Sequence, residues 1–108
     1  MPFEIKEYKK YKVIYLAGDI VEHQLNSVRK IFNSFLEAKQ YFIAVDLSLV
    51  TYINSIVIGV LIVYFKKYSQ QNGSLCFINP NKAIVPIIES LELDKAINFY
   101  DSLEKLPV

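Results

Sequence analysis

The stretch from Ser55 to Gln71, SIVIGVLIVYFKKYSQQ, constrains the fold more than any other part of the chain. Ten of its residues, Ile56 to Phe65, carry no charge and no strongly polar side chain. Its β-branched residues favour a strand, but strands rarely exceed about ten residues and Gly59 is the only breaker inside it. Asn72-Gly73 follows as a helix stop. The segment is therefore predicted to be a helix, with tertiary packing overriding a middling propensity. The apolar run is far short of the ~20 residues needed to span a bilayer.

A helix on the surface of a domain needs one apolar stripe. Ile58, Leu61, Ile62 and Phe65 supply it at spacings of three and four. Ile56, Val60, Val63 and Tyr64 make a second stripe beside or opposite the first. A helix apolar all round is either deeply buried or covered by something else. A chain of 108 residues has limited means to bury both sides, so a partner surface is the sharper expectation. Coverage by a neighbouring helix is the other.

The rest of the chain reads as strands alternating with helices. Phe3 to Tyr8 and Lys12 to Gly18 are expected strands joined by a short basic turn, with Gly18 and Asp19 ending the second. Between Gln24 and Lys39, Leu25, Val28, Phe32, Phe35 and Leu36 fall at helical spacing. Tyr41 to Leu47 suits a central strand, and SLVTYIN is expected to be the loop into the apolar helix. Ser74 to Asn79 is a further strand. Asn79-Pro80 then opens a helix over Asn81 to Ser90, in which Pro86 should cost a hydrogen bond and bend the axis. Ala96 to Tyr100 is a last strand, and Asp101 with Glu104 resembles a capping box for a final helical turn. The predicted order is β-β-α-β-α-β-α-β-α. This is a single α/β domain over residues 1–108, with a mostly parallel mixed sheet of about five strands, an antiparallel first strand and about four helices.

Chemistry is sparse. There are 12 basic and 11 acidic side chains, a net charge of +1. That balance gives no electrostatic footprint for nucleic acid or an anionic membrane, and it favours weak self-association into a homodimer. The one cysteine, Cys76, excludes an internal disulfide and reads as an inert core thiol. The one histidine, His23, has no companions for a metal site and reads as a solvated residue before the first helix. The three glycines are too scattered for a phosphate-binding loop. Asp46, at the end of a strand, is the single acid where α/β proteins often place function, although a turn-capping role is commoner. A small ligand-binding domain would show a concave pocket near Asp46 and Gly18. No enzyme, cofactor or metal is expected. No leader is visible, and the expected compartment is the cytoplasm.

Ser55 stands at or beside the N-cap of the apolar helix. Either Asn54 or Ser55 caps it, worth about 1 kcal/mol. A helix N-terminus also favours added negative charge. A phosphate on Ser55 would therefore leave the fold intact while placing a charge of about −2 beside the apolar stripe.

On these features the sequence resembles the STAS domain, specifically bacterial anti-sigma factor antagonists. The likeness runs along VDLSLVTYINSIVIGVLIVYFKKYSQQNGSLCFINP and the tail IIESLELDKAINFYDSLEKL, where a leucine-aspartate turn leads into the last strand. LAGDI matches the glycine that ends the second strand. The resemblance implies a protein-binding switch without catalysis. Its partner would be an anti-sigma factor that is also a serine kinase, and a serine phosphatase would reset it. The phosphorylated serine of the family falls on Ser55. The implied partner-binding residues are Asn54, Ile56, Val57, Val60, Val63 and Tyr64, with Gly18 and Asp19 of the early loop. Where the family usually reads D-S-S-G or D-S-T-G, this chain has Asn54-Ser55-Ile56-Val57. Where it often reads G-E-L-D, this chain has Gly18-Asp19-Ile20-Val21. The alternative is a constitutive interaction or scaffold subunit, stressosome-type or transporter-associated, that is not phosphorylated.

Overall fold

The computed structural model describes residues 3–92, 95 and 97–107. Five strands form one sheet whose spatial order is the chain order. β1 (Glu4–Tyr8) runs antiparallel to β2 (Tyr11–Ile20). β3 (Phe42–Ile53), β4 (Ser74–Ile78) and β5 (Asn98–Tyr100) continue in parallel. The crossovers carry α1 (Leu25–Glu37), α2 (Ser55–Gln70) and α3 (Val85–Ser90), with 3-10 turns at Glu22–Gln24 and Leu103–Lys105. Among the described residues three α-helices thus stand close to the four expected.

A parallel series laid down in chain order with right-handed crossovers puts every helix on one face of the sheet. The core agrees. Val28 and Phe32 of α1, Leu61 and Tyr68 of α2 and Ile88 of α3 share one cluster with Ile14, Val45, Leu75 and Phe77 of the sheet. The opposite face holds Tyr11, Val13, Ala44, Cys76 and Ile78, covered by Leu106. Burial pushes the Cys76 thiol up to about 11.

Both ends of α2 are built locally. At its N-terminus the Asn54 side chain accepts the Val57 N–H at 3.0 Å, so Asn54 is the cap. At its C-terminus Asn72 takes φ +60°, its N–H meets the Ser69 carbonyl at 3.1 Å, and the Gly73 N–H meets the Tyr68 carbonyl at 2.9 Å. That pair of bonds is a Schellman stop. Gly73 is glycine for another reason: a side chain there would run into the Tyr41 backbone.

Several elements differ from the sequence expectation. β2 does not end at Gly18 and Asp19 but continues to Ile20, and all of the expected loop SLVTYIN except Asn54 is the far half of β3. Two register shifts keep the strands paired, one between Tyr15 and Ala17 and one between Gly18 and Asp19. At the first, the Asp46 carboxylate accepts the Ser48 N–H at 2.8 Å and the Ser48 hydroxyl at 2.6 Å, holding groups that the irregularity frees. At the second, Gly18 adopts φ +79°, open to glycine without strain, and the Thr51 hydroxyl donates to Asp19 at 2.8 Å.

α3 begins at Val85 rather than Asn81, which puts Pro86 in its first turn, where no hydrogen bond is lost. Asn81 instead closes a turn, accepting the Ala83 N–H at 2.9 Å. Ser102, not Asp101, precedes the last 3-10 turn, and no side chain caps it. The expected leucine-aspartate turn at Leu93 and Asp94 lies outside the described residues.

Candidate functional site at the start of the second helix

Once Asn54 holds the free Val57 N–H, the Ser55 hydroxyl has no capping duty. Ser55 is the first residue of α2 and is exposed. The Asn54 N–H bonds the Ile20 carbonyl at 3.3 Å, which ties the start of α2 to the end of β2. The Asn54 side-chain amide donates to the Glu22 carboxylate. An acid therefore stands one residue from Ser55. No local sequence signal marks it, because Glu22 and Asn54 are 32 residues apart along the chain and meet only in the fold.

The faces of α2 are settled by packing. Val57, Ile58, Leu61, Tyr64 and Tyr68 are buried, and Ile62 and Phe65 flank them against the core. Two residues expected to meet a partner are thus committed to the domain. Val57 is fully buried because it sits one turn past the cap, facing the sheet. Tyr64 is buried because its ring lies 5.0 Å from that of Phe32 and its hydroxyl donates to Asn33 at 2.9 Å. The outward side keeps Ile56 (56% exposed), Val63 (51% exposed) and the half-buried Val60. These three fall on one line at spacings of four and three.

Gly59 lies on the same exposed side, and nothing stands within 4 Å of where its side chain would be. Asp19 is exposed and Gly18 half-buried at the end of β2. Leu49 and Tyr52, on the far half of β3, are also exposed.

Asp46 is a different case. It is buried, and besides Ser48 it accepts the Asn79 side-chain amide at 2.9 Å. An open cleft of about 610 Å³ lies beyond it, lined by Ser48, Asn79, Asn81, Lys82 and Asp101, away from Gly18. Asp46 serves the strand irregularity rather than the cleft. His23 is exposed in the 3-10 turn before α1. Among the described residues no three His, Cys, Asp or Glu side chains gather as metal ligands, and no helix is long and apolar enough to cross a membrane.

The family model for the STAS domain matches residues 2–106. The chain belongs to the STAS domain family. The STAS fold recurs in solved structures of low sequence identity. Protein TM1081 of Thermotoga maritima superposes with a TM-score of 0.86 at 22% identity, covering 95% of this chain and 89% of that one. An anti-sigma factor antagonist from Mycobacterium paratuberculosis gives 0.81 at 17% identity, covering 95% and 87%. The anti-sigma factor antagonist SpoIIAA in its unphosphorylated form gives 0.77 at 16%, covering 95% and 91%. The phosphorylated form of the same Bacillus protein gives 0.71 at 14%, covering 95% of both chains. No curated protein sequence matches this chain significantly.

Proposed function

We propose that this STAS domain is a cytoplasmic anti-sigma factor antagonist. It binds an anti-sigma factor with serine kinase activity through the outward face of α2 and is released when Ser55 is phosphorylated. The observation that carries the reading is the division of labour at the helix start. Asn54 caps α2, and Ser55 is left exposed beside Ile56 and the line running to Val63. The existence of SpoIIAA in unphosphorylated and phosphorylated forms is consistent with it.

The physics of release is local. The kinase moves the γ-phosphoryl of ATP onto the Ser55 oxygen, the hydroxyl proton passing to a kinase base and ADP leaving. A charge of about −1.5 to −2 then sits at the positive end of the helix dipole, where the fold tolerates it. A partner covering Ile56 would have to strip water from that charge, and binding fails. Gly59 supports the same face. A glycine in an exposed helix interior costs about 1 kcal/mol relative to alanine. No contact among the described residues requires it, whereas close approach of a partner's backbone would.

One observation favours the constitutive alternative. The Glu22 carboxylate already occupies the space beside Asn54, so a phosphate one residue away meets like charge. Incubation with the cognate kinase and ATP separates the two. The switch predicts a single added phosphate, mapped to Ser55 by mass spectrometry and absent from Ser55→Ala. An unmodified chain that still binds its partner would establish the constitutive module instead.

A further inference from the structure

Beyond Ser55, the outward face of α2 meets α1 in a groove of about 320 Å³ lined by Val60, Val63 and Tyr64, with Arg29 of α1 and Lys67 of α2. Its shape is held firmly. Tyr64 is pinned through Asn33, the buried Tyr68 hydroxyl donates to the Phe32 carbonyl at 2.7 Å, and the Lys67 ammonium lies 5.1 Å from the Tyr64 ring centre.

The charge is one-sided. α2 contains Lys66 and Lys67 and no acid. α1 contains Arg29 and Lys30, with its one acid, Glu37, at its last residue. Among the described residues neither Arg29 nor Lys67 forms an ion pair. The chain as a whole is nearly neutral at +1, so this local excess is a property of the groove. An apolar floor between unpaired cations is complementary to an apolar side chain flanked by carboxylates.

We propose that the α1–α2 groove takes an acidic amphipathic helix of a partner protein, which seats an apolar side chain between Val60 and Val63 and presents carboxylates to Arg29 and Lys67. This deepens the docking reading above and rests on it for the existence of the partner. Helix-in-groove recognition suits an interface whose apolar contacts give affinity and whose rim charges give orientation and on-rate. Ser55 and Val63 are eight residues apart on α2, about 12 Å along the axis. At that range a phosphate on Ser55 and the groove cations are screened from each other by physiological salt. The two determinants should therefore be separable.

The test uses two fluorescein-labelled peptides of about 15 residues. Both carry leucines at alternating three- and four-residue spacing; one has glutamates elsewhere and the other lysines. Fluorescence anisotropy with the full chain should show the acidic peptide binding about tenfold tighter, with the preference fading as salt is raised. Arg29→Glu with Lys67→Glu should remove that preference. Val63→Asp should abolish binding, with thermal melts confirming that each variant is folded. Equal binding of the two peptides, binding of neither, or an unchanged preference in the charge-reversed variant overturns the proposal. So does binding to phosphatidylserine vesicles that the acidic peptide fails to displace, which would make the face a membrane surface. Selective peptide binding by a chain whose Ser55 is never phosphorylated sinks the switch and leaves the groove. Phosphorylation that breaks a complex indifferent to Arg29 and Lys67 does the reverse.

Discussion

Replacing Asn54 with aspartate restores the acid expected from the family resemblance, and the structure says that it will destabilise this chain. The capping function survives, because aspartate and asparagine are equivalent N-caps. The helix dipole adds a gain of about 0.3–1 kcal/mol. Against this, the Asn54 amide that donates to Glu22 is lost, and two carboxylates come to face each other at hydrogen-bonding range. Like charges about 4 Å apart repel by about 1 kcal/mol in water and about 4 kcal/mol near a protein surface. Glu22 is exposed, so the lower part of that range applies. With the lost charge-assisted bond included, the net cost is about 1–2 kcal/mol. Urea melts followed by circular dichroism at neutral pH measure it directly. A carboxylate pair held together has its folded-state pKa raised. The penalty is therefore present at neutral pH and disappears as pH falls to about 4. In the Glu22→Gln background Asn54→Asp should be neutral or stabilising. Equal stability of Asn54→Asp and the parent, or an undiminished deficit once Glu22 has lost its charge, would refute the pairing.

Four further outcomes follow from the packing. Val57→Asp should unfold the domain, since a buried carboxylate costs several kcal/mol against a total stability of about 5–15 kcal/mol. Val63→Asp, at an exposed site, should shift the thermal midpoint little while abolishing partner capture. Gly59→Ala should raise stability by about 1 kcal/mol, read as a thermal midpoint higher by about 4–8 °C, and should weaken partner binding if a backbone approaches there. Burial raises the Cys76 thiol to about 11 and the Tyr11 hydroxyl to about 12, and pushes Tyr68 up as well. Each folded-state pKa lies above its unfolded value. Their contribution is thus complete below about pH 9 and is lost as pH rises through the folded values, so melting temperature should fall on the alkaline side and Cys76→Ala should remove the earliest step.

The sequence was most legible where length and punctuation decide. A run of 17 residues followed by Asn72-Gly73 has few solutions besides a helix, and α2 occupies Ser55–Gln70. Alternation of strand and helix likewise leads to a parallel series with one antiparallel edge. What could not be read was which side of α2 faces the sheet. Apolar residues surround the helix, and no polar residue between Ile56 and Val63 marks the outside. Tyr64, a member of the second stripe, and Val57, which enters only through the family motif, both turn in, because of the Asn33 partner of Tyr64 and the cap geometry at Asn54. The long ends of β2 and β3 were hidden for another reason. Register shifts at Leu47–Ser48 and Thr51 break the two-residue alternation by which a strand is recognised. Pro86 falls in the first turn of α3 rather than its interior because the helix start is set by the turn that Asn81 closes, a contact that leaves no periodic trace.

The central claim is that a charge at Ser55 controls a docking face without disturbing the domain. Calorimetric titration of the purified anti-sigma factor with the unmodified and the stoichiometrically phosphorylated chain tests it most directly. The account predicts loss of binding by at least about a hundredfold, equivalent to about 2.7 kcal/mol, with unchanged circular dichroism. Equal affinity of the two forms, or a phosphorylated chain that binds less only because it has unfolded, would contradict it.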